Sequence, residues 1–129
     1  MVLSAAATAR YTAAACETLN DELTTQRAQD FMTFSVHEPV GVVAAITPWN
    51  SPIASEVQKL APAIAAGNAV VLKPAEATSL IALELAKIFE EAGLPQGLLS
   101  VLVGRGSVIG DAIVKHPLVR KISFTGGTE

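Results

Sequence analysis

Two polar stretches, each lying at the end of an apolar run, most constrain how this chain can fold. The first is Ile46–Asn50 (ITPWN) and the second is Val71–Glu76 (VLKPAE). Apolar and β-branched residues precede the polar positions of each stretch, and an amphipathic segment of helical length joins the two, which predicts a βαβ unit. In open parallel sheets, ligands bind in the crevice beyond the carboxyl ends of the strands. The pattern therefore predicts a nucleotide site at these two strand ends.

The alternation of strands and helices continues to the end of the sequence. The predicted strands are 40–47, 69–73, 99–103 and 120–124, and the predicted helices are 52–66, 79–92 and 107–115. Gly67 and Asn68 both tolerate the left-handed conformation that ends helices, and Thr78 or Ser79 can cap the second of these helices. Short loops between alternating elements predict an α/β fold with a doubly wound parallel sheet of about four strands. In the helix after the second strand, one broad apolar face is predicted from Leu80, Leu83, Ile88 and Ala92.

The first 37 residues differ in character from the rest. A helix rich in small residues is predicted from about Ser4 to Leu19, and the aromatic and β-branched run Phe31–Val36 predicts a strand. We therefore expect a helix-and-strand arm over 1–37 and an incomplete dinucleotide-binding domain over 38–129. The sequence stops at Glu129, straight after the last predicted strand, where a helix should begin.

Composition excludes several classes of function. A formal net charge of -3 gives no basic field for nucleic acid, and no apolar run approaches the roughly 20 residues of a membrane-spanning helix. The single cysteine, Cys16, lies on the Ala-rich helix, where we expect it to be packed as a small hydrophobe. His37 and His116 lack cysteine or carboxylate companions at metal-ligand spacing, so no metal site is predicted. We expect a cytoplasmic protein.

A set of ordered motifs resembles the NAD(P)-dependent aldehyde dehydrogenases. The motifs are Glu38–Val43 (EPVGVV), Pro48–Asn50 (PWN), Leu72–Glu76 (LKPAE), Ala92–Pro95 (AGLP) and Ile122–Gly126 (ISFTG). The likeness covers nearly everything from residue 36 to 129. It implies a partial Rossmann-like domain preceded by part of an oligomerisation arm, hence a homo-oligomer when the protein is complete.

The resemblance implies that Asn50 is a catalytic residue. A side-chain amide N–H stabilises negative charge that develops on the aldehyde oxygen, and losing one such donor costs roughly 10²–10³ in rate. The alternative interpretation is a turn asparagine that satisfies local backbone groups after Pro48 and Trp49.

Further positions of the motifs imply contacts with the cofactor. Lys73 and Glu76 match residues that contact the adenosine ribose, whereas the alternative is a solvated lysine and a glutamate favoured by the helix dipole. A carboxylate at Glu76 would repel a 2′-phosphate, which favours NAD, with NADP possible. Trp49 matches an indole beside the cofactor diphosphate, although a Trp at a strand end is equally often core packing. Thr47 is expected to contact the cofactor through its backbone.

Two glycine-containing segments are candidates for the phosphate site. Gly104–Gly110 (GRGSVIG) nearly matches a dinucleotide-binding fingerprint, but its last spacing is one residue too long. The resemblance instead places this segment, with Gly106, near the adenine. It places the diphosphate at the segment that contains Gly126, Gly127 and Thr128, whose backbone N–H groups can bind it.

The resemblance also implies what lies outside the chain. Aldehyde oxidation in this family uses a cysteine nucleophile, which forms a thiohemiacetal, and a glutamate base, both C-terminal to residue 129. We therefore expect part of an oxidoreductase that converts a small-molecule aldehyde to a carboxylic acid and that is inactive as this chain alone. The alternative is a non-catalytic nucleotide-binding or interaction module.

Overall fold

The structure, a computed structural model, describes residues 1–25 and 28–127. The elements are α1 (Val2–Glu17), β1 (Val42–Ile46), α2 (Pro52–Ala65), β2 (Ala69–Lys73), a 3-10 turn (Glu76–Thr78), α3 (Ser79–Glu91), β3 (Leu99–Val101), a π-helical turn (Gly106–Gly110), α4 (Asp111–Lys115) and β4 (Val119–Phe124). Within the described ranges, no helix combines the length and the apolar character needed to cross a membrane.

The strands form one four-stranded sheet in the order β3-β2-β1-β4. Every pairing is parallel, with Val43 of β1 beside Val70 of β2 and Lys121 of β4. The chain steps from β1 to β2 to β3 on one side and then returns to the opposite side of β1 for β4. The predicted parallel α/β fold is confirmed, and the direction of winding reverses between β1 and β4, where such sheets open a crevice.

The core lies between the sheet and the helices α1, α2 and α3. Its members are Ala5 of α1, Val43 and Ala45 of β1, Val57 and Leu60 of α2, Val70 and Leu72 of β2, and Ala82 and Leu85 of α3. Near-continuous apolar strands supply one side of this cluster, as expected for strands of a covered parallel sheet. The packing fixes α2 against β1 and β2, and so fixes the loop that joins β1 to α2.

The apolar face predicted for α3 is wrong. Leu80 is 79% exposed, and Leu83 and Ile88 are also exposed, whereas Ala82 and Leu85 are buried. Both sets of residues recur at helical spacing, so the sequence offered two competing stripes. In the folded chain, the stripe with Ala82 and Leu85 packs into the core cluster, and the stripe with Leu80 does not.

The predicted strand Phe31–Val36 does not form as a strand. Phe34 makes one isolated antiparallel bridge with Leu23, supported by a hydrogen bond from the Ser35 amide to the Glu22 carbonyl. Two short segments paired only with each other are marginal in water. Phe31 and Phe34 stay exposed because nothing in the described residues covers them.

Two residues in the turn between α2 and β2 end the helix, Gly67 through its backbone conformation and Asn68 through its side chain. Gly67 has φ +79°, the left-handed conformation that was predicted, but Asn68 does not share it. Asn68 is buried and acts through its side chain: Oδ1 accepts from the Gly41 amide at 3.0 Å, and Nδ2 donates to the Ala63 carbonyl at 3.0 Å. The side chain thereby joins the start of β1 to the end of α2.

We expect Asn68→Ala to lower the free energy of unfolding by about 2 kcal/mol, because it removes two part-buried hydrogen bonds that contribute about 1 kcal/mol each. Urea unfolding measures the change. The matched control is Asn20→Ala, which removes a single exposed hydrogen bond to the Thr18 carbonyl and should change stability by less than about 0.5 kcal/mol. Equal effects of the two substitutions would contradict the assigned role of Asn68.

Candidate functional site

An open cleft of about 800 Å³ lies at the carboxyl edge of the sheet, across the point where the winding reverses. Its volume falls in the range of roughly 300–1,000 Å³ that is usual for ligand sites. Every predicted site residue within the described ranges lines it, namely Thr47, Trp49, Asn50, Lys73, Glu76, Gly106, Gly126 and Gly127. The remaining one, Thr128, lies outside the described residues.

The loop after β1 contributes two polar residues, Thr47 and Asn50, to the lining of the cleft. The Thr47 amide donates to the Lys73 carbonyl at 3.2 Å, so sheet pairing continues one residue beyond β1. Trp49 is 71% exposed, so it does not pack into the core that the described residues form. Asn50 is exposed, and its side chain makes no hydrogen bond to the part of the chain that the structure describes, so the turn alternative gains no support.

The segment after β2 places an ammonium group and a carboxylate on the same cleft. Lys73 is buried, and its Nζ donates to the Pro74 carbonyl at 3.0 Å. Glu76 is exposed at the first position of the 3-10 turn. Among the described residues no ion pair joins the two side chains. Neither predicted helix cap forms, because the Thr78 hydroxyl donates to the Ala75 carbonyl instead.

The loop after β4 closes the cleft on the far side of β1. The Thr125 amide donates to the Ile46 carbonyl at 3.0 Å. A Cβ on Gly126 would lie 2.7 Å from the ring of Phe124, so that exposed ring would have to move to admit any other residue. A Cβ on Gly127 would meet no atom within 4 Å in the described chain, which leaves its backbone open toward the cleft.

The lining segment that follows β3 in the chain departs from the predicted secondary structure. The single helix predicted over 107–115 is instead the π-helical turn Gly106–Gly110 followed by the short helix α4. Sequence reasoning did not include eight of the lining residues, which are Ile46, Pro48, Ala75, Gly110, Val114, Ile122, Phe124 and Thr125. The alternation of Ile122 and Phe124 along β4, which puts both on one face of the sheet, was the available signal.

Cys16 lies far from the cleft. Its thiol donates to the carbonyl of Ala65, the last residue of α2, at 3.5 Å, and the side chain is exposed, contrary to the packed position predicted for it. Helix α2 begins two residues after Asn50, so its length alone separates Cys16 from Asn50 by about 20 Å. The thiol therefore cannot attack a group held by Asn50.

A buried carboxyl group was also missed. Glu56 of α2 is 0% exposed, and burial raises the pKa of its carboxyl to about 7. One turn further along, burial lowers the pKa of the Lys59 ammonium, which donates to the Ser123 hydroxyl at 3.1 Å. The available signal for a buried carboxyl group was the position of Glu56 between Ile53 and Leu60, two apolar residues at helical spacing.

The sheet order and the cleft at its switch point define a Rossmann-like α/β protein. The chain belongs to the aldehyde dehydrogenase family, whose family model matches residues 1–129. It is 63% identical over 91 residues to the phenylacetaldehyde dehydrogenase of Pseudomonas fluorescens, an alignment that covers 70% of this chain and 18% of that protein. The chain spans about a fifth of the length of the curated relatives it matches.

Solved structures of the family with bound cofactor share the fold. The betaine aldehyde dehydrogenase of Staphylococcus aureus in complex with NAD+ matches with a TM-score of 0.86 and 39% identity, over 91% of this chain and 24% of its own. The glyceraldehyde-3-phosphate dehydrogenase of Methanocaldococcus jannaschii complexed with NADP matches with a TM-score of 0.87 and 39% identity, over 98% of this chain and 28% of its own.

Proposed function

We propose that this chain supplies the adenosine half of the cofactor site, and the oxyanion donor, of an NAD(P)-dependent enzyme that oxidises an aldehyde to a carboxylic acid. One observation carries the proposal. The residues assigned from the family motifs, which come from separate loops of the sequence, line one cleft at the switch point of a parallel sheet.

Asn50 is the residue assigned to the reacting centre. A bound nicotinamide supplies the acceptor for the hydride that the aldehyde carbon loses. The Asn50 amide N–H donates to the aldehyde oxygen as negative charge develops there, and a donor that has no partner among the described residues needs no rearrangement to do so. The exposed side chain at the mouth of the cleft fits this role.

Lys73 and Glu76 are assigned to the adenosine ribose. The Glu76 carboxylate accepts hydrogen bonds from the ribose hydroxyls, and the Lys73 ammonium donates to a ribose oxygen with the protons that Pro74 does not engage. Trp49 and Thr47 line the cofactor path, and Gly126, Gly127 and Thr128 offer backbone N–H groups to the diphosphate. NAD is favoured because Glu76 repels a 2′-phosphate, while the NADP-bound relative supports NADP as the second possibility.

The nucleophile and the general base are assigned to sequence beyond these 129 residues. The only thiol of the chain is that of Cys16, at the opposite end of α2 from Asn50. We therefore expect the isolated chain to bind the cofactor weakly and to oxidise no aldehyde. The alternative, a nucleotide-binding module, would also oxidise no aldehyde but would retain its affinity for the cofactor. Steady reduction of NAD by the isolated chain would contradict this assignment.

The remaining family expectations are a cytoplasmic homo-oligomer, an arm over 1–37 and a cofactor domain over 38–129. The exposed aromatic residues Phe31 and Phe34 favour an arm that pairs with a second chain. A small-molecule aldehyde is the proposed substrate, and its identity depends on residues outside this chain.

Titration of the ¹⁵N-labelled chain with NAD tests the cofactor site. We expect amide shifts confined to the loops that follow β1, β2 and β4 and to the π-helical turn. Glu76→Gln should weaken NAD binding about tenfold, because hydrogen bonds to a charged acceptor contribute about 1.5–3 kcal/mol. The same substitution should lower the ratio of the affinity for NAD to the affinity for NADP, because it removes the charge that repels the 2′-phosphate.

The matched control is Glu91→Gln, an exposed glutamate at the end of α3 and away from the cleft. It should leave the NAD affinity unchanged. Shifts that fall outside the cleft, or equal affinities for the wild type and Glu76→Gln, would overturn the assignment of the cleft to the adenosine ribose.

A further inference from the structure

In the part of the chain that the structure describes, the unsatisfied buried polar groups lie at either side of the loop that carries Asn50. Among the described residues, the buried side-chain nitrogen and oxygen atoms without a hydrogen-bond partner are Thr47 Oγ1 and both carboxyl oxygens of Glu56. Thr47 opens the loop and Glu56 lies in the second turn of the helix that follows it. Unpaired buried polar atoms are rare in folded proteins, so their concentration around one functional loop calls for a physical reason.

Glu56 lies on the side of helix α2 that faces β4. Residues three apart on a helix are neighbours on its surface, and Lys59, three positions later, reaches Ser123 of β4. The same helix is held on the sheet by Val57 and Leu60. The Glu56 carboxyl therefore lies at the packed side of α2, between the core and the strand-end cleft.

Within residues 1–25 and 28–127, no charged group offsets an ionised Glu56. The elements against α2 carry the following titratable or charged residues: Arg10, Tyr11, Cys16 and Glu17 on α1, Lys73 on β2, Glu84, Lys87, Glu90 and Glu91 on α3, and Arg120 and Lys121 on β4, with none on β1. Lys73 is engaged with Pro74, and the others are exposed. On α2 itself, Lys59 forms no ion pair with Glu56 among the described contacts.

The helix dipole gives little compensation. Its effect falls off within the first turn, and Glu56 is the fifth residue of α2. Burying an ionised carboxylate without a partner costs far more than burying the neutral acid. Deprotonation of Glu56 therefore favours a conformation in which water reaches the carboxylate between the first turns of α2 and the sheet.

We propose that Glu56 is a proton-operated latch: with its carboxyl neutral, the first two turns of α2 pack on the sheet, and with its carboxyl ionised they lift and displace the loop 47–51. Because the loop carries Asn50, the latch would regulate the site, and this consequence rests on the proposed function. The latch itself concerns packing and needs no cofactor.

The direction of the pH effect follows from the two protonation equilibria. The packed form keeps its proton up to about pH 7, whereas a solvated carboxyl loses it near its ordinary value of 4.5. As the pH rises through this window, the lifted form binds fewer protons than the packed form, so lifting becomes more favourable. Above about pH 7 both forms are ionised and the effect levels off.

Hydrogen exchange of the chain without nucleotide tests the latch. After correction for intrinsic exchange, the protection of amides 54–58 should fall about tenfold between pH 6 and pH 8.5. In Glu56→Gln, which keeps the shape of the neutral acid, protection should not depend on pH. Glu91→Gln, an exposed control, should behave as the wild type. Flat protection in the wild type, or the same pH dependence in Glu56→Gln, would overturn the proposal.

A second measurement tests the latch even if Glu56→Gln fails to fold. The ¹³C shift of the Glu56 carboxyl carbon in the wild type should titrate with a midpoint near 7, and a midpoint near 4.5 would overturn the proposal. Both readouts are separate from NAD binding. Failed NAD binding with a working latch would reject the proposed function alone, and normal NAD binding with flat exchange would reject the latch alone.

Discussion

Replacing Asn50 with alanine in the full-length protein that carries this segment is expected to lower kcat by about 10²–10³, because it removes a donor aimed at the developing negative charge. KM for the aldehyde and the affinity for NAD should change little, since the lost hydrogen bond strengthens only as the oxygen becomes charged. Steady-state kinetics with separately measured NAD binding tests this.

The adjacent position provides the matched control. Ser51 is the N-cap residue of α2, yet its side chain makes no capping hydrogen bond. Ser51→Ala should therefore leave kcat within about twofold and stability within about 0.5 kcal/mol. A loss of kcat in Asn50→Ala no greater than in Ser51→Ala would remove Asn50 from the catalytic machinery.

Replacing Leu60 with alanine is expected to lower the free energy of unfolding by about 3 kcal/mol. Leu60 is 0% exposed and belongs to the cluster that holds α2 against β1 and β2. Truncating a buried leucine loses its transfer free energy and leaves a cavity, which together cost about 2–5 kcal/mol. Chemical denaturation measures the change directly.

Leu80→Ala makes the same chemical change on an exposed face. Leu80 is 79% exposed on α3, so its truncation should cost less than about 0.5 kcal/mol in the isolated chain. Equal losses for the two leucine substitutions would contradict the orientation of α3 described above.

The sheet could be predicted because its strands carry their own signal. The β-branched runs that became β1, β2 and β4 differ from the predicted strands by at most two residues at either end. The parallel arrangement followed from the helical segments between them. It also predicted that Asn50 and Glu76 would lie at one edge, since the carboxyl ends of parallel strands meet there.

The predictions that were wrong concern features that depend on packing partners, and the sequence pattern does not contain those partners. The run Phe31–Val36 has strand composition, but a strand needs a neighbour, and in the described chain it finds only Leu23. On α3, helical spacing alone could not choose between the stripe with Leu80 and the stripe with Leu85. Glu56 escaped notice because a charged residue within an amphipathic helix is read as solvent-facing until the packing is known.

The intact mass of the protein purified from its native source tests the central proposal most directly. A mass several times the 13.4 kDa of this chain is predicted, because the nucleophile and the base of an aldehyde dehydrogenase must come from further sequence. A native species of 13.4 kDa would contradict the enzymatic proposal and leave nucleotide binding as the function to be tested.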